Sequence, residues 1–173
     1  QALGLAGPMS FQQMLLEALS DHPDCTVVLK VHPDVIRGRA RGHFRRRDLQ
    51  HPRIHLCADG LHPAALLEQA RAVYVVTSQM GFEALLWGKP VHCFGMPFYA
   101  GWGLTRDRLP APARRRVGGA LEALVHAALV AGTRCVDPHR HRRCSIEELM
   151  QAIGLQRQLQ RSTPGRVEAF GFT

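Results

Sequence analysis

The stretch from Val73 to Gly103 reads VYVVTSQMGFEALLWGKPVHCFGMPFYAGWG, and its order of apolar and breaking residues leaves few folds open. Val73-Tyr74-Val75-Val76 is too short for a helix and suits a strand buried on both faces. Thr77 and Ser78 stop the run, and either hydroxyl can cap a helix over Gln79 to Trp87. Gly81 falls in its first turn, where a missing side chain lets a ligand or another backbone come close. Gly88-Lys89-Pro90 ends the helix, and Val91 to Phe94 reads as the next strand. The stretch is one βαβ module of a parallel sheet.

A helix that starts right after a strand presents unpaired N–H groups and the positive end of its dipole, so it suits an anion. Ser78 adds a hydroxyl there, and Glu83, four residues after Gln79, lies on the same face one turn deeper. A carboxylate so placed can accept hydrogen bonds from a ribose diol beside a phosphate held at Ser78. Two readings stand on this pattern: a nucleotide site, or an ordinary βαβ turn with Glu83 on a solvated face.

Upstream, the apolar positions from Phe11 to Leu19 have helical spacing, with Ser10 as N-cap. Thr26 to Val31 is a strand that ends at Lys30-Val31-His32-Pro33-Asp34, because proline cannot continue a ladder. Lys30 and His32 therefore sit near a strand's carboxyl end, where open α/β sheets hold ligands, and both suit a phosphate. The bland alternative is that His32 only closes the strand. Ile54 to Cys57 is a further strand, and Pro63 to Ala70 a helix with Pro63 at its first position. Strands at 26–31, 54–57, 73–77 and 91–94 alternating with helices predict an α/β fold, a Rossmann-like parallel sheet with flanking helices.

Arg37 to Arg47 holds six arginines in eleven residues and no apolar period, which reads as a basic loop. It is either solvated or turned to phosphates or anionic lipid. The formal charge of +8 is weaker evidence than it looks, since Lys30 and Lys89 are the only lysines and the arginine bias can reflect genome composition. A nucleic-acid-binding domain would interleave aromatics with the arginines, and only Phe44 does so. Five cysteines with no CxxC spacing fit reduced thiols in a reducing compartment. Cys135, His139, His141 and Cys144 could be offered to zinc, but their spacing matches no recognised knuckle and three arginines crowd them. Gly95 to Gly103 has three glycines and three aromatics; Tyr99 and Trp102 could stack on a sugar or plug the domain edge. Leu121 to Val130 is a helix, and Ser145-Ile146-Glu147-Glu148 is a capping box opening a last one through Leu155 towards Gln160. One domain is expected over 1–160, with 161–173 a tail or the start of a following module.

KVHPDV at 30–35, VTSQMGFEALLWGKPV at 76–91 and FGMPFYAGWGLTRD at 94–107 resemble the signature segments of the bacterial capsule polysaccharide biosynthesis proteins of the KpsC/LipB type. Arg114-Arg115, and VDP at 136–138 followed by Cys144, also match. The resemblance implies a β-Kdo glycosyltransferase moving Kdo from CMP-Kdo to a lipid-linked acceptor, in a GT-B fold whose carboxyl-terminal half this chain would be. It implies Lys30, His32 and Pro33 on the donor phosphate, with Ser78 and the amides near Gln79, Met80 and Gly81. Glu83 would meet the ribose. No catalytic carboxylate is evident, and the resemblance places it in an amino-terminal half outside this chain, which alone would bind donor without turnover. No metal or cofactor is implied, and no nucleic acid; a monophosphate leaving group needs less neutralisation than a diphosphate. The expected location is cytoplasmic, at the inner membrane face through Arg37 to Arg47. A UDP-sugar transferase or epimerase half is the alternative, since it would use the same Ser and Glu geometry.

Overall fold

A computed structural model describes residues 4–7, 9–31, 35, 42–57, 63–115 and 118–162. Helix α1 (Ser10–Asp21) leads into β1 (Val27–Lys30). Then come β2 (Ile54–Cys57), α2 (Pro63–Gln69), β3 (Val73–Val75), α3 (Met80–Leu86) and β4 (Val91–Cys93). All four predicted strands form, and all pair in parallel: Val27 opposite Ile54 in one ladder, Val73 opposite Val91 in another. A fifth strand, β5 (Arg106–Asp107), adds to β4 with His92 opposite Arg106. It went unseen in the sequence because two charged residues after a glycine-rich run carry no apolar signal.

The core follows burial, not strand length. All three residues of β4 are buried, and Val75, Val76, Phe94 and Leu67 join them. The β1–β2 ladder is more open, with Val28 49% and Leu56 54% exposed. Helix α1 lays Met14, Leu15 and Ala18 inward, and Met14 packs with Val76 and Phe94. Ser10 is not its N-cap: Met9 takes that position, and the buried Ser10 hydroxyl accepts the Gly7 N–H instead. Arg53, just before β2, closes the other end of α1. Its guanidinium donates to the carbonyls of Leu19 (2.8 Å), His22 (2.7 Å) and Cys25 (3.0 Å), satisfying orphan acceptors at the helix end.

The predicted basic loop is partly structured. Arg46–Leu49 form a 3₁₀ turn, and His43 stacks on Phe11 with ring centroids 3.6 Å apart. Residues 36–41 lie outside the described residues.

Where one domain was expected through residue 160, the chain divides into two compact units, Gln1–Leu121 and Glu122–Thr173. The predicted helix at 121 begins as α4 (Leu121–Val125) and widens into a π-helical segment, His126–Ala131. The second unit also holds an antiparallel hairpin, β6 (Cys135–Asp137) and β7 (Arg142–Cys144), and α5 (Ile146–Ser162). The capping box forms as read: Ser145 N–H donates to the Glu148 carboxylate at 2.9 Å, and Glu148 N–H to Ser145 Oγ at 3.2 Å. Cys135 and Cys144 face each other across the hairpin, both as thiols, and among the described residues no three His, Cys, Asp or Glu side chains converge on a metal site. No described helix is long and apolar enough to cross a membrane.

Burial of one histidine is expected to couple the first unit's stability to pH. His92 in β4 is 4% exposed, and burial, then the Arg106 charge, hold its imidazole below the ordinary 6.5; Arg108 and His22 act the same way and Asp21 opposes them. The unfolded chain therefore takes up this proton at higher pH than the folded one. Its contribution to stability is full above about 6.5 and is lost as pH falls through the folded value. His92→Phe, which keeps the stacking on Tyr74, should flatten the fall of denaturation midpoint below pH 6.5 relative to the parent; an unchanged slope would assign that fall to other groups.

Candidate functional site

The turn between β3 and α3 is built around the main chain of Ser78. Its carbonyl accepts the Gly81 N–H at 3.1 Å and the phenolic O–H of Tyr99; its hydroxyl oxygen accepts the Met80 N–H at 3.2 Å. Ser78 thus braces the turn ahead of the helix without being its N-cap, where its position had suggested a cap. Helix α3 starts one residue later than expected, with Gln79 at the cap position. Ser78, Gln79 and Glu83 are exposed, and Met80 is half-buried. Glu83 N–H donates to the Gln79 carbonyl, which fixes the two side chains on one helix face.

Gly81 is buried for a reason other than a ligand's approach. A Cβ there would lie 2.8 Å from Tyr99 Cζ and 2.9 Å from Cε2. What comes close is the protein's own tyrosine. Tyr99 is 0% exposed, its pKa raised by burial, and it packs edge-on to Phe98 with ring centroids 5.2 Å apart. Of the two expectations for this ring, plugging the domain edge holds, and a fully buried ring cannot stack on a sugar. Trp102 is half-buried; its Nε1 donates to the Phe98 carbonyl at 2.8 Å, and the Arg115 guanidinium lies 5.7 Å from the ring.

Two residues organise this glycine-rich segment without having been singled out for it. Arg115 donates to the carbonyls of Pro97 (2.6 Å) and Ala100 (3.0 Å). Asp107 accepts the Gly101 N–H at 2.8 Å and the Thr105 hydroxyl at 2.6 Å. Gly101 and Gly103 have φ of +83° and +79°, a region that favours glycine, which is why the motif spends glycines there. The signal was present as an arginine pair and an Arg-Asp step, but nothing in their spacing names the carbonyls they hold.

Lys30 is exposed at the carboxyl end of β1, on the same edge logic as Ser78 after β3. His32, Pro33 and Asp34 lie outside the described residues. Of the predicted set the structure brings Ser78, Gln79, Met80, Gly81 and Glu83 into one turn. Cys93 in β4 is a core thiol whose pKa burial pushes up to about 12.

Parallel strands flanked by helices make this an α/β unit, and its fold matches that of a glycosyltransferase. KpsC of Thermosulfurimonas dismutans, a β-Kdo 2,4 transferase, superposes with a TM-score of 0.79 at 39% identity, over 87% of this chain and 46% of that one. A β-Kdo 2,7 transferase structure of the same KpsC gives 0.67 at 34% identity, over 83% and 46%. The chain belongs to the capsule polysaccharide biosynthesis protein family, whose pattern it matches over residues 6–134. It is 41% identical over 141 residues to the capsule polysaccharide modification protein LipA of Neisseria meningitidis serogroup B, covering 79% of this chain and 20% of LipA. It is 32% identical over 155 residues to the lipopolysaccharide-processing protein LpsZ of Rhizobium meliloti, covering 90% and 35%. The chain therefore spans about a fifth to a third of these curated relatives.

Proposed function

We propose that this chain is the donor-binding unit of a capsule polysaccharide β-Kdo transferase, taking CMP-Kdo at the carboxyl edge of its sheet for transfer to a lipid-linked acceptor. The likeness to KpsC at 39% identity carries the reading. The exposed Ser78–Glu83 face supports it. In this reading Ser78 O–H, with its oxygen already engaged by Met80 N–H, donates to the CMP phosphate, and Glu83 accepts from the ribose diol. In the same reading the KVHP segment brings Lys30 as a cation and His32 as a ring donor to that phosphate, with Pro33 beside them. No metal or other cofactor is invoked, because a monophosphate leaving group needs less neutralisation than a diphosphate. The arginines of 37–47 face anionic lipid at the cytoplasmic side of the membrane.

Titration of the chain with CMP, UDP and a random oligonucleotide, each at low and moderate salt, tests the donor. CMP should bind most tightly. A charged phosphate hydrogen bond is worth about 1.5–3 kcal/mol, so His32→Ala should weaken CMP roughly ten- to a hundredfold. Glu83→Gln should weaken CMP while leaving inorganic phosphate unaffected. A preference for UDP would overturn the donor assignment, and unchanged CMP affinity in both variants would remove the site. Vesicles of graded anionic lipid content report on the arginines; binding indifferent to that content, or surviving high salt, would make them a solvated surface.

A further inference from the structure

The opposite edge of the same sheet carries a second concavity. A cleft of about 600 Å³ is lined by Asp21 and His22 at the end of α1, Arg71 and Ala72 before β3, and Pro90 before β4. Tyr74, His92, Arg106 and Arg108 complete it. Ala72 and Pro90 precede their strands whereas Ser78 follows β3. Tyr74 and His92 lie within their strands, so the cleft begins on the amino-terminal side of the Ser78 turn and runs along the sheet.

The wall carries more positive than negative charge. Arg108 is neutralised by Glu17, to which its guanidinium donates twice. Asp21 is the one carboxylate on the wall, and it already accepts the Tyr74 hydroxyl at 2.7 Å. Arg71 and Arg106 have no carboxylate partner among the described residues. With Arg108 matched by Glu17, Arg71 and Arg106 outnumber Asp21 and leave the concavity net positive, where charge acts more strongly than on a flat surface.

The floor is held by in-register stacking: Tyr74 pairs with His92 across β3 and β4, ring centroids 4.3 Å apart, and His22 meets Tyr74 edge-on. His92 is 4% exposed, and its Nδ1 is buried with no hydrogen-bond partner. Nothing in the donor reading uses Arg71, Tyr74, His92 or Arg106.

We propose that this cleft binds a small organic anion, a phosphate ester or a sugar carboxylate, with Arg71 and Arg106 on the charged group and the His92 imidazole beneath its polar body. The volume is that of a ligand-sized pocket and larger than a bare ion needs. Guanidinium forks suit either oxyanion.

The test follows the side-chain resonances of His92 and Tyr74 in the 173-residue chain during titration with inorganic phosphate, glucuronate and uncharged glucose. Saturable shifts with phosphate, glucuronate or both, and none with glucose, are expected; which anion binds tighter separates a phosphate ester from a sugar acid. Arg106→Gln should weaken that binding roughly tenfold or more. Arg71→Gln, on the exposed rim, serves the same purpose should the β5 variant fail to fold. CMP binding, read from the backbone amides of Gly81 and Glu83, should be unchanged in Arg71→Gln, so failure of one site is distinguishable from failure of the other. Shifts reproduced by chloride at matched ionic strength, or surviving both arginine substitutions, would overturn the proposal.

Discussion

Purified on its own, this chain should bind CMP and transfer no Kdo. Transfer needs donor, acceptor and a catalytic group held in one geometry, and alignment of that kind is worth about 7–11 kcal/mol of barrier. The chain corresponds to 46% of the KpsC β-Kdo 2,4 transferase structure. Its described parallel strands all lie within Gln1–Leu121, and the other unit offers an antiparallel hairpin and helices instead of a second nucleotide fold. Glu83, the carboxylate on the Ser78 face, is assigned to the ribose in the donor reading and is not offered as the acid or nucleophile. Kdo transfer from CMP-Kdo to a synthetic acceptor should therefore be undetectable for this chain. It should appear once the sequence is extended to the length of its relatives. Comparable turnover by the chain alone would sink the half-enzyme reading and send the search for the catalytic group back to these residues.

The second large effect concerns Gly81→Ala. Helix propensity alone says this change should stabilise α3 by up to about 1 kcal/mol. The packing says otherwise. The new methyl would sit 2.8 Å from Tyr99 Cζ, and the ring has nowhere to go: it is fully buried and tied through its hydroxyl to the Ser78 carbonyl. Overpacking of this kind costs about 1–3 kcal/mol, which exceeds the propensity gain. Net destabilisation by urea denaturation is expected, with weakened CMP binding because Ser78 moves with the ring. Tyr99→Phe in the same chain removes the nearest atom and should recover part of the loss, a non-additivity that a double-mutant cycle would read directly. A Gly81→Ala protein as stable as the parent would show that the ring shifts freely and that the contact is soft.

Much of the first unit was legible because parallel strands are short apolar runs bounded by breakers. Val91 to Phe94 between Pro90 and Gly95 is such a run, and so is Thr26 to Val31 before Pro33. The capping box at Ser145 was legible because its two hydrogen bonds are strictly local. Long-range features were not. Tyr99 as partner of Ser78, Arg53 at the end of α1 and Arg115 on the Pro97 carbonyl each join residues far apart, and residue type alone does not say which. The amino-edge cleft escaped for the same reason. Tyr74 and His92 read as ordinary strand residues until their register sets one ring on the other. The π-helical widening after Val125 has no evident sequence mark, and a uniform helical period was the natural expectation there.

The bond from Tyr99 to the Ser78 carbonyl reaches beyond packing. It joins the turn that would meet a nucleotide to a segment that Arg115 and Asp107 hold in shape. Binding free energies are reciprocal, so a nucleotide at Ser78 and a ligand on the aromatic segment would change one another's affinity by the same factor. A nucleotide that orders Ser78 would make the aromatic segment more rigid. Conversely, anything that grips Phe98 or Trp102 from outside would tighten the hold on the nucleotide, a form of communication requiring no hinge and no moving domain.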